Sequence, residues 1–419
     1  MNIMNDLKNK LELLAPAGDL LKLKIAILYG ADAVYIGGEA FGLRTASKNF
    51  DLKDMQEGIR FAHERGKKVY LTTNIIPHNE ELESFEDYLD SVVALGIDAL
   101  IVADIGLFSF IRKRYPNIDI HISTQANNVN YLSANVWHDM GAKRVVLARE
   151  LSLEEISQIR QKTPNELEIE AFVHGAMCIS YSGRCLLSNY LTGRDANKGE
   201  CAQPCRWNYA LVEEKRPGEY FHVGEDEKGS FFFNSKDLCM IEHIPELVKS
   251  GITSFKIEGR VKSEYYVATI IKAYRAELDK YIQNPDTYKF DKENLNEVLK
   301  VSHRPYTHGF YFGKTDANSQ VYDTSSYIRD YDIVGFVLDY NEKTGIATVE
   351  QRNKFCVGDT VEIIQPNEPY FSQKVEWLKN ATGEYVTSVP HAQMIFTMKT
   401  EKPVVPNAMI RKGELVSGK

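Results

Sequence analysis

Five of the six cysteines fall between Cys178 and Cys239, in the order Cys178, Cys185, Cys201, Cys205 and Cys239, with Cys356 alone far downstream. In a cytosolic chain, thiols crowded in this way bind metal or do redox chemistry more often than they form structural disulfides. The gaps are C-x6-C, then x15, then C-x3-C, then x33. Structural zinc favours paired C-x2-C knuckles or Cys with His in finger spacing, and neither pattern occurs. Thiolates gathered from separate loops suit an iron-sulfur cluster, whose cage takes soft sulfur ligands at irregular spacing. On spacing alone, zinc stays open, and so does a set of thiols buried as small hydrophobes.

Other residues that can do chemistry lie at the ends of short apolar runs. His174 precedes Cys178 and is a candidate general acid or base, or a donor to a cluster sulfide; its plain alternative is a satisfied core histidine. Asp104 follows the run ALIVA and is costly to bury unless paired or used. Arg149, Arg184 and Arg260 are candidates for a carboxylate or phosphate clamp, since guanidinium forks match such anions bidentately. Asn74, Gln125, Glu150, Lys256 and Glu258 end runs of the same kind. The chain has no H-E-x-x-H and no G-x-S-x-G, so a peptidase would need another activated nucleophile, such as Cys178 beside His174.

The elements that must position these residues can be read from hydrophobic periodicity. Apolar, β-branched runs predict strands at Leu11 to Pro16, Ala33 to Gly37, Lys68 to Ile76, Ala99 to Asp104, Ile118 to Gln125, Arg144 to Arg149, Leu167 to His174 and Thr253 to Glu258. Helical spacing lies between them, as at Leu20 to Tyr29, Leu82 to Leu95 and Leu153 to Ile159. Eight strands with helical crossovers predict an α/β fold, a (β/α)8 TIM-like barrel, with working residues at the carboxyl ends of the strands. A doubly wound open sheet is the rival, but no G-x-G-x-x-G follows the first strand.

The barrel is expected over residues 1–284, with an insertion at about 175–251 that carries the cysteines and is too long for a simple βα loop. Within it, Glu213 to Gly229 is charged and predicts a solvent-facing hairpin. Tyr265 to Ile282 predicts the closing helix, and 285–330 an irregular connector rich in Tyr. From 331 to 419 alternating strands and turns predict a small C-terminal antiparallel β-barrel domain.

Several stretches together resemble the peptidase U32, or collagenase-like protease, family. The string from Glu170 to Ser188 reads E-x-F-x-x-G-A-x-C-x-x-x-x-G-x-C-x-x-S; ELLAPAG, GADAVYIGG, GECAQPCR, NSKDLC and FKIEGR are further matches. These anchors run from Glu12 to Arg260; the resemblance itself covers about the whole chain and is most similar to the tRNA uridine 5-hydroxylation proteins of that family. The resemblance implies oxygen-independent hydroxylation of tRNA wobble uridine to 5-hydroxyuridine, with prephenate as hydroxyl source. It also implies a four-iron, four-sulfur (4Fe-4S) cluster on Cys178, Cys185, Cys201 and Cys239, with Cys205 as the reserve ligand. Catalytic roles are then expected for His174, Asp104 and Glu258, and substrate binding for Arg149, Arg184, Lys256 and Arg260. The alternatives are a U32-type peptidase of unassigned mechanism, or a noncatalytic subunit presenting a cluster or RNA.

Composition bounds the partners. Hydrophobic content of 43% and charged content of 26% are those of an ordinary soluble globule. A membrane-spanning apolar run and a secretory signal are both missing, so a cytoplasmic protein without membrane contact is expected. The formal net charge of -8 offers no global attraction to RNA, so tRNA must be held by a local patch. Arg184, Arg194, Lys198 and Arg206 form one candidate, and Tyr306, Phe310, Tyr311 and Phe312 are candidate stacking residues. A paralogous subunit or a homo-oligomer is compatible with the sequence.

Overall fold

The computed structural model describes residues 11–42, 49–178, 180–181, 185–207, 210–211, 221–222, 235–313 and 327–413. Eight parallel strands close into a barrel: β1 (Glu12–Pro16), β2 (Ala33–Gly37), β3 (Lys68–Thr73), β4 (Ala99–Val102), β5 (Asp119–Ile122), β6 (Arg144–Val146), β7 (Glu168–Ala176) and β9 (Ser254–Ile257). Each pairs with the next in order, and β9 pairs with both β7 and β1, which closes the ring. All eight predicted strands are present, ending at or before their predicted limits except β7, which runs on to Ala176.

The helices outside the ring are α1 (Leu20–Leu28), α2 (Leu52–His63), α3 (Asn79–Leu82), α4 (Phe85–Val93), α5 (Ile105–Arg114), α6 (Tyr131–Asp139) and α7 (Leu153–Gln161). Their starts follow from side-chain caps. Asp19 accepts from Lys22 N, Asp51 from Asp54 N, and Ser152 forms a full capping box with Glu155. Asp104 belongs to this set: it caps α5 by accepting from Leu107 N at 2.9 Å. Its placement after an apolar strand is explained by helix initiation.

Within the barrel, the layer at the amino ends of the strands is ionic. Arg144 is buried and pairs with Glu12 at 2.6 Å, Glu168 at 2.6 Å and Glu170 at 2.9 Å, while Lys256 Nζ lies 2.6 Å from Glu170 Oε1. Burial alone would raise the Glu12 carboxyl, but the charge of Arg144 and hydrogen bonds from Arg144, Tyr70 and Ser254 outweigh it and hold it low. A small apolar layer of Leu14, Ala33, Tyr35, Tyr70, Ala99 and Ile101 fills the barrel as well.

The segment after β7 departs from a plain βα connection. It contains α8 (Leu187–Thr192), two strand residues at Ala210–Leu211 paired with Phe221–His222, and β8 (Asp237–Cys239) before α9 (Ile244–Lys249). The predicted hairpin at Glu213 to Gly229 lies largely outside the described residues. β8 was not legible as a strand; it runs antiparallel to the end of β7, with Asp237 opposite Ala176, Leu238 opposite Gly175 and Cys239 opposite His174. Thus β7 is long because its first part pairs with β9 and its last part with β8.

After β9 the chain forms α10 (Glu264–Gln283), as expected. The connector is less irregular than its Tyr-rich sequence suggests, since it holds α11 (Lys292–Leu299) and β10 (Tyr306–Thr307), which pairs with β8. The C-terminal part is an eight-stranded antiparallel sheet with its own core. Its order begins at Glu368–Lys374 and ends at Tyr385–Val386, and Phe355–Cys356 pairs separately with Ser388–Val389, so the expected small antiparallel β domain is present. Buried Arg411 ties it to α11 through Glu297 at 2.7 Å, and Tyr29 Oη donates to Asn407 O at 3.0 Å.

Candidate active site at the barrel mouth

A cavity of about 240 Å3 opens at the carboxyl ends of the strands. Its wall includes Thr72 on β3 and Asn74 just after it, Ser123 and Gln125 after β5, Arg149 after β6, Phe172 on β7, and Lys256, Glu258 and Arg260 on and after β9. Cys178, Cys185, Cys201 and Cys205 form the side built by the insertion. Residues from six places in the sequence therefore meet where a barrel of this type carries its chemistry.

The cations are held in fixed poses. Arg149 Nη1 donates to Ala176 O at 2.6 Å, its Nη2 lies 3.9 Å from Glu258 Oε2, and its guanidinium stacks 3.9 Å from the centroid of Phe172. Lys256 is buried, paired with Glu170, with Nζ 4.5 Å from the ring centroid of Tyr35. Arg260 is buried and donates to Thr72 Oγ1 at 3.3 Å and to Asn49 Oδ1 at 3.0 Å. Two glycines leave room for the strand that presents them. A Cβ on Gly37 would fall 2.6 Å from Arg260 Cζ, and one on Gly175, which has φ of +112°, would fall 2.7 Å from Glu258 O. The glycines of GADAVYIGG and of the cysteine string thus serve FKIEGR, far away in sequence.

The thiol wall has the donors of a metal site without a finished cage. Cys178 and Cys201 are exposed and Cys185 and Cys205 half-buried; Gln203 N donates to Cys201 Sγ at 3.4 Å. Among the described residues no three His, Cys, Asp or Glu side chains converge closely enough to hold a metal ion. Four thiols on one cavity wall fit the donor set of a 4Fe-4S cluster, and closing the cage requires them to draw together.

Cys239 and His174 lie elsewhere. The Cys239 thiol is buried, pushed up to about 12 by burial, and hydrogen-bonded with Tyr274. Phe172 and Ala176 line the cavity, and strict alternation would place His174 with them. The pairing of β9 with β7 shifts register between Lys256 and Ile257, opposite His174. The imidazole packs instead among Tyr266, Tyr274 and Tyr306, with centroids 6.0, 5.5 and 5.3 Å away, and burial lowers it to about 3. The structure therefore does not bring His174 and Cys178 together as a base and nucleophile pair on the cavity wall.

Of the expected site residues, Arg149, Lys256, Glu258, Arg260 and four thiols share the cavity, Asp104 is a helix cap, and Arg184 lies outside the described residues. Tyr35, Lys262 and Tyr327 also line it and were not singled out from sequence. Lys262 follows FKIEGR by two residues, which is the one signal that pointed its way. Tyr311 is no stacking residue: it is buried, and its Oη donates to Phe172 O at 2.6 Å.

Residues 18–321 match the model of peptidase family U32, and residues 329–411 match that of the peptidase family U32 C-terminal domain. The chain belongs to the peptidase U32 family. A family member in Bacillus subtilis named tRNA hydroxylation protein P1 is 42% identical over 97% of this chain and 95% of its own length. Another, tRNA hydroxylation protein P of Escherichia coli, is 40% identical over 91% of this chain and 92% of its own. A 23S rRNA 5-hydroxycytidine synthase of Escherichia coli is 42% identical, over 66% of this chain and 40% of its own length. Among the described residues, no helix is long and apolar enough to cross a membrane.

Proposed function

We propose that this chain is an RNA hydroxylation protein that converts tRNA wobble uridine to 5-hydroxyuridine without oxygen, using prephenate as hydroxyl donor and carrying a 4Fe-4S cluster. The observation that carries the reading is that a thiol wall and three buried or half-buried cations share one cavity at the barrel mouth. Relatives similar along nearly the whole chain are named for tRNA hydroxylation, which supports the RNA substrate class.

In this reading Arg149, Lys256 and Arg260 bind the two carboxylates of the donor, each cation already fixed by its partners, so little ordering is lost on binding. Phe172 and Tyr35 form the apolar surface beneath its ring. Glu258 Oε2, 3.5 Å from Tyr35 Oη and beside Arg149, is the proton acceptor. Cys178, Cys185 and Cys201 would hold the cluster, together with a fourth thiol. The resemblance implies Cys239 for the fourth, whereas the cavity lining favours Cys205. When bound, the cluster supplies electron transfer or polarisation of an oxygen donor, which side chains do poorly.

The test is complementation of a strain lacking the gene, with nucleoside mass spectrometry of its tRNA. The parent gene restores 5-hydroxyuridine, and Lys256→Met does not. Restoration by Lys256→Met at the parent level would refute a role for this cavity.

A further inference from the structure

Beside the thiol wall, large apolar side chains stand in solvent. Tyr190 is 85% exposed, Leu186 72%, Tyr181 58% and Trp207 48%. All lie in the insertion, and Tyr181 and Leu187 line the cavity. Leu187 and Tyr190 are three apart on α8, hence on one side of it, while the buried Ser188 anchors the other by accepting from Ala202 N at 3.0 Å. Tyr190 shares α8 with Leu187 and Trp207 follows the lining residues Pro204 and Cys205, so three large aromatics stand exposed on segments that line the cavity, a pattern that marks a surface something covers.

The charge around them says what. The cavity wall carries four cations, Arg149, Lys256, Arg260 and Lys262, against the carboxylate of Glu258 and that of Glu170 paired with Lys256, on a chain whose net charge is -8. A cleft in which cations outnumber carboxylates focuses its field on an anionic partner. A polyanion whose units each carry a flat π-face meets both demands, because bases stack on aromatics regardless of sequence while a phosphate meets Lys262, the wall cation not assigned to the donor's carboxylates.

We propose that Tyr181, Tyr190 and Trp207 form a stacking platform for single-stranded RNA, holding the nucleotides that flank the one inserted in the cavity. This rests on the RNA hydroxylation reading, and it names the surface that presents the substrate. Tyr306 and Tyr311, packed against the barrel, take no part.

The test measures tRNA affinity of the whole chain at one fixed salt concentration for the parent, Tyr190→Ala, Trp207→Ala, Tyr190→Phe and Leu132→Ala. Leu132→Ala is the control for an exposed apolar residue on α6. Each alanine variant on the platform is expected to weaken binding about fivefold or more, as loss of one stacked base does. Tyr190→Phe keeps the ring and binds as the parent does, which separates stacking from misfolding, and Leu132→Ala is unchanged. Parent-like affinity in both platform variants overturns the platform while leaving RNA hydroxylation standing. So does a change in sedimentation with tRNA affinity unaltered, which would assign the patch to a protein partner. A parent that binds no RNA overturns the RNA reading itself.

Discussion

The guanidinium of Arg260 lies over the backbone of Gly37, where any side chain would meet Cζ at 2.6 Å and Nη1 at 2.8 Å. The contact joins the end of β2 to the segment after β9 and fixes the arginine toward Thr72 and Asn49. Gly37→Ala is expected to push the guanidinium off these acceptors and to destabilise the chain by about 1–3 kcal/mol. Urea unfolding checks this, and the cost shrinks in an Arg260→Ala background if the clash is the cause.

The ionic layer makes a stronger prediction. Arg144→Met leaves Glu12, Glu168 and Glu170 around an uncharged side chain, and loss of one partner from a buried pair costs about 3–5 kcal/mol. Acid should weaken the same layer. The Glu12 carboxyl is held below its ordinary 4.5, so its contribution is present above that value and is lost as pH falls through the folded value. Urea midpoints of the parent and of Glu12→Gln, compared from pH 6 down to pH 3, should converge as the pH drops.

His174 sets a second pH dependence, in a higher window. Its imidazole titrates at about 3 in the fold and near 6.5 when unfolded, because burial among tyrosines disfavours the cation. Below pH 6.5 the unfolded chain takes up a proton that the native chain does not, so stability falls toward pH 3, by up to about 1.4 kcal/mol per pH unit. His174→Gln is expected to flatten the fall between pH 6.5 and 5. An identical slope in the variant would show that the imidazole is not held neutral.

Thiol reactivity separates the cysteines. In cluster-free protein at pH 8, exposed Cys178 and Cys201 are expected to be alkylated by iodoacetamide well before buried Cys239, whose thiol titrates near 12. In anaerobically prepared protein, Cys178→Ser, Cys185→Ser and Cys201→Ser should each lose the iron. Of Cys205→Ser and Cys239→Ser, only one should do so, and that one names the fourth ligand.

The barrel was legible because its strands are continuous apolar runs punctuated by glycine, and their carboxyl ends located Arg149, Lys256, Glu258 and Arg260. What could not be read depends on pairing. His174 shares its alternation with Phe172, yet the register shift opposite it turns it away from the cavity. β8 is three residues long and exists because β7 extends past β9, a tertiary fact absent from its own composition. Asp104 is an acid placed after an apolar strand, and local capping accounts for it. Tyr35 sits mid-strand among apolar residues, so nothing in the sequence separates it from the core around it.

The most direct measurement is reconstitution of the anaerobically prepared chain with its cluster, followed by incubation with unmodified tRNA and nucleoside mass spectrometry, with and without prephenate. 5-Hydroxyuridine is expected only when cluster and prephenate are both present. Unmodified uridine under every condition, in protein shown to contain four irons per chain, would contradict it.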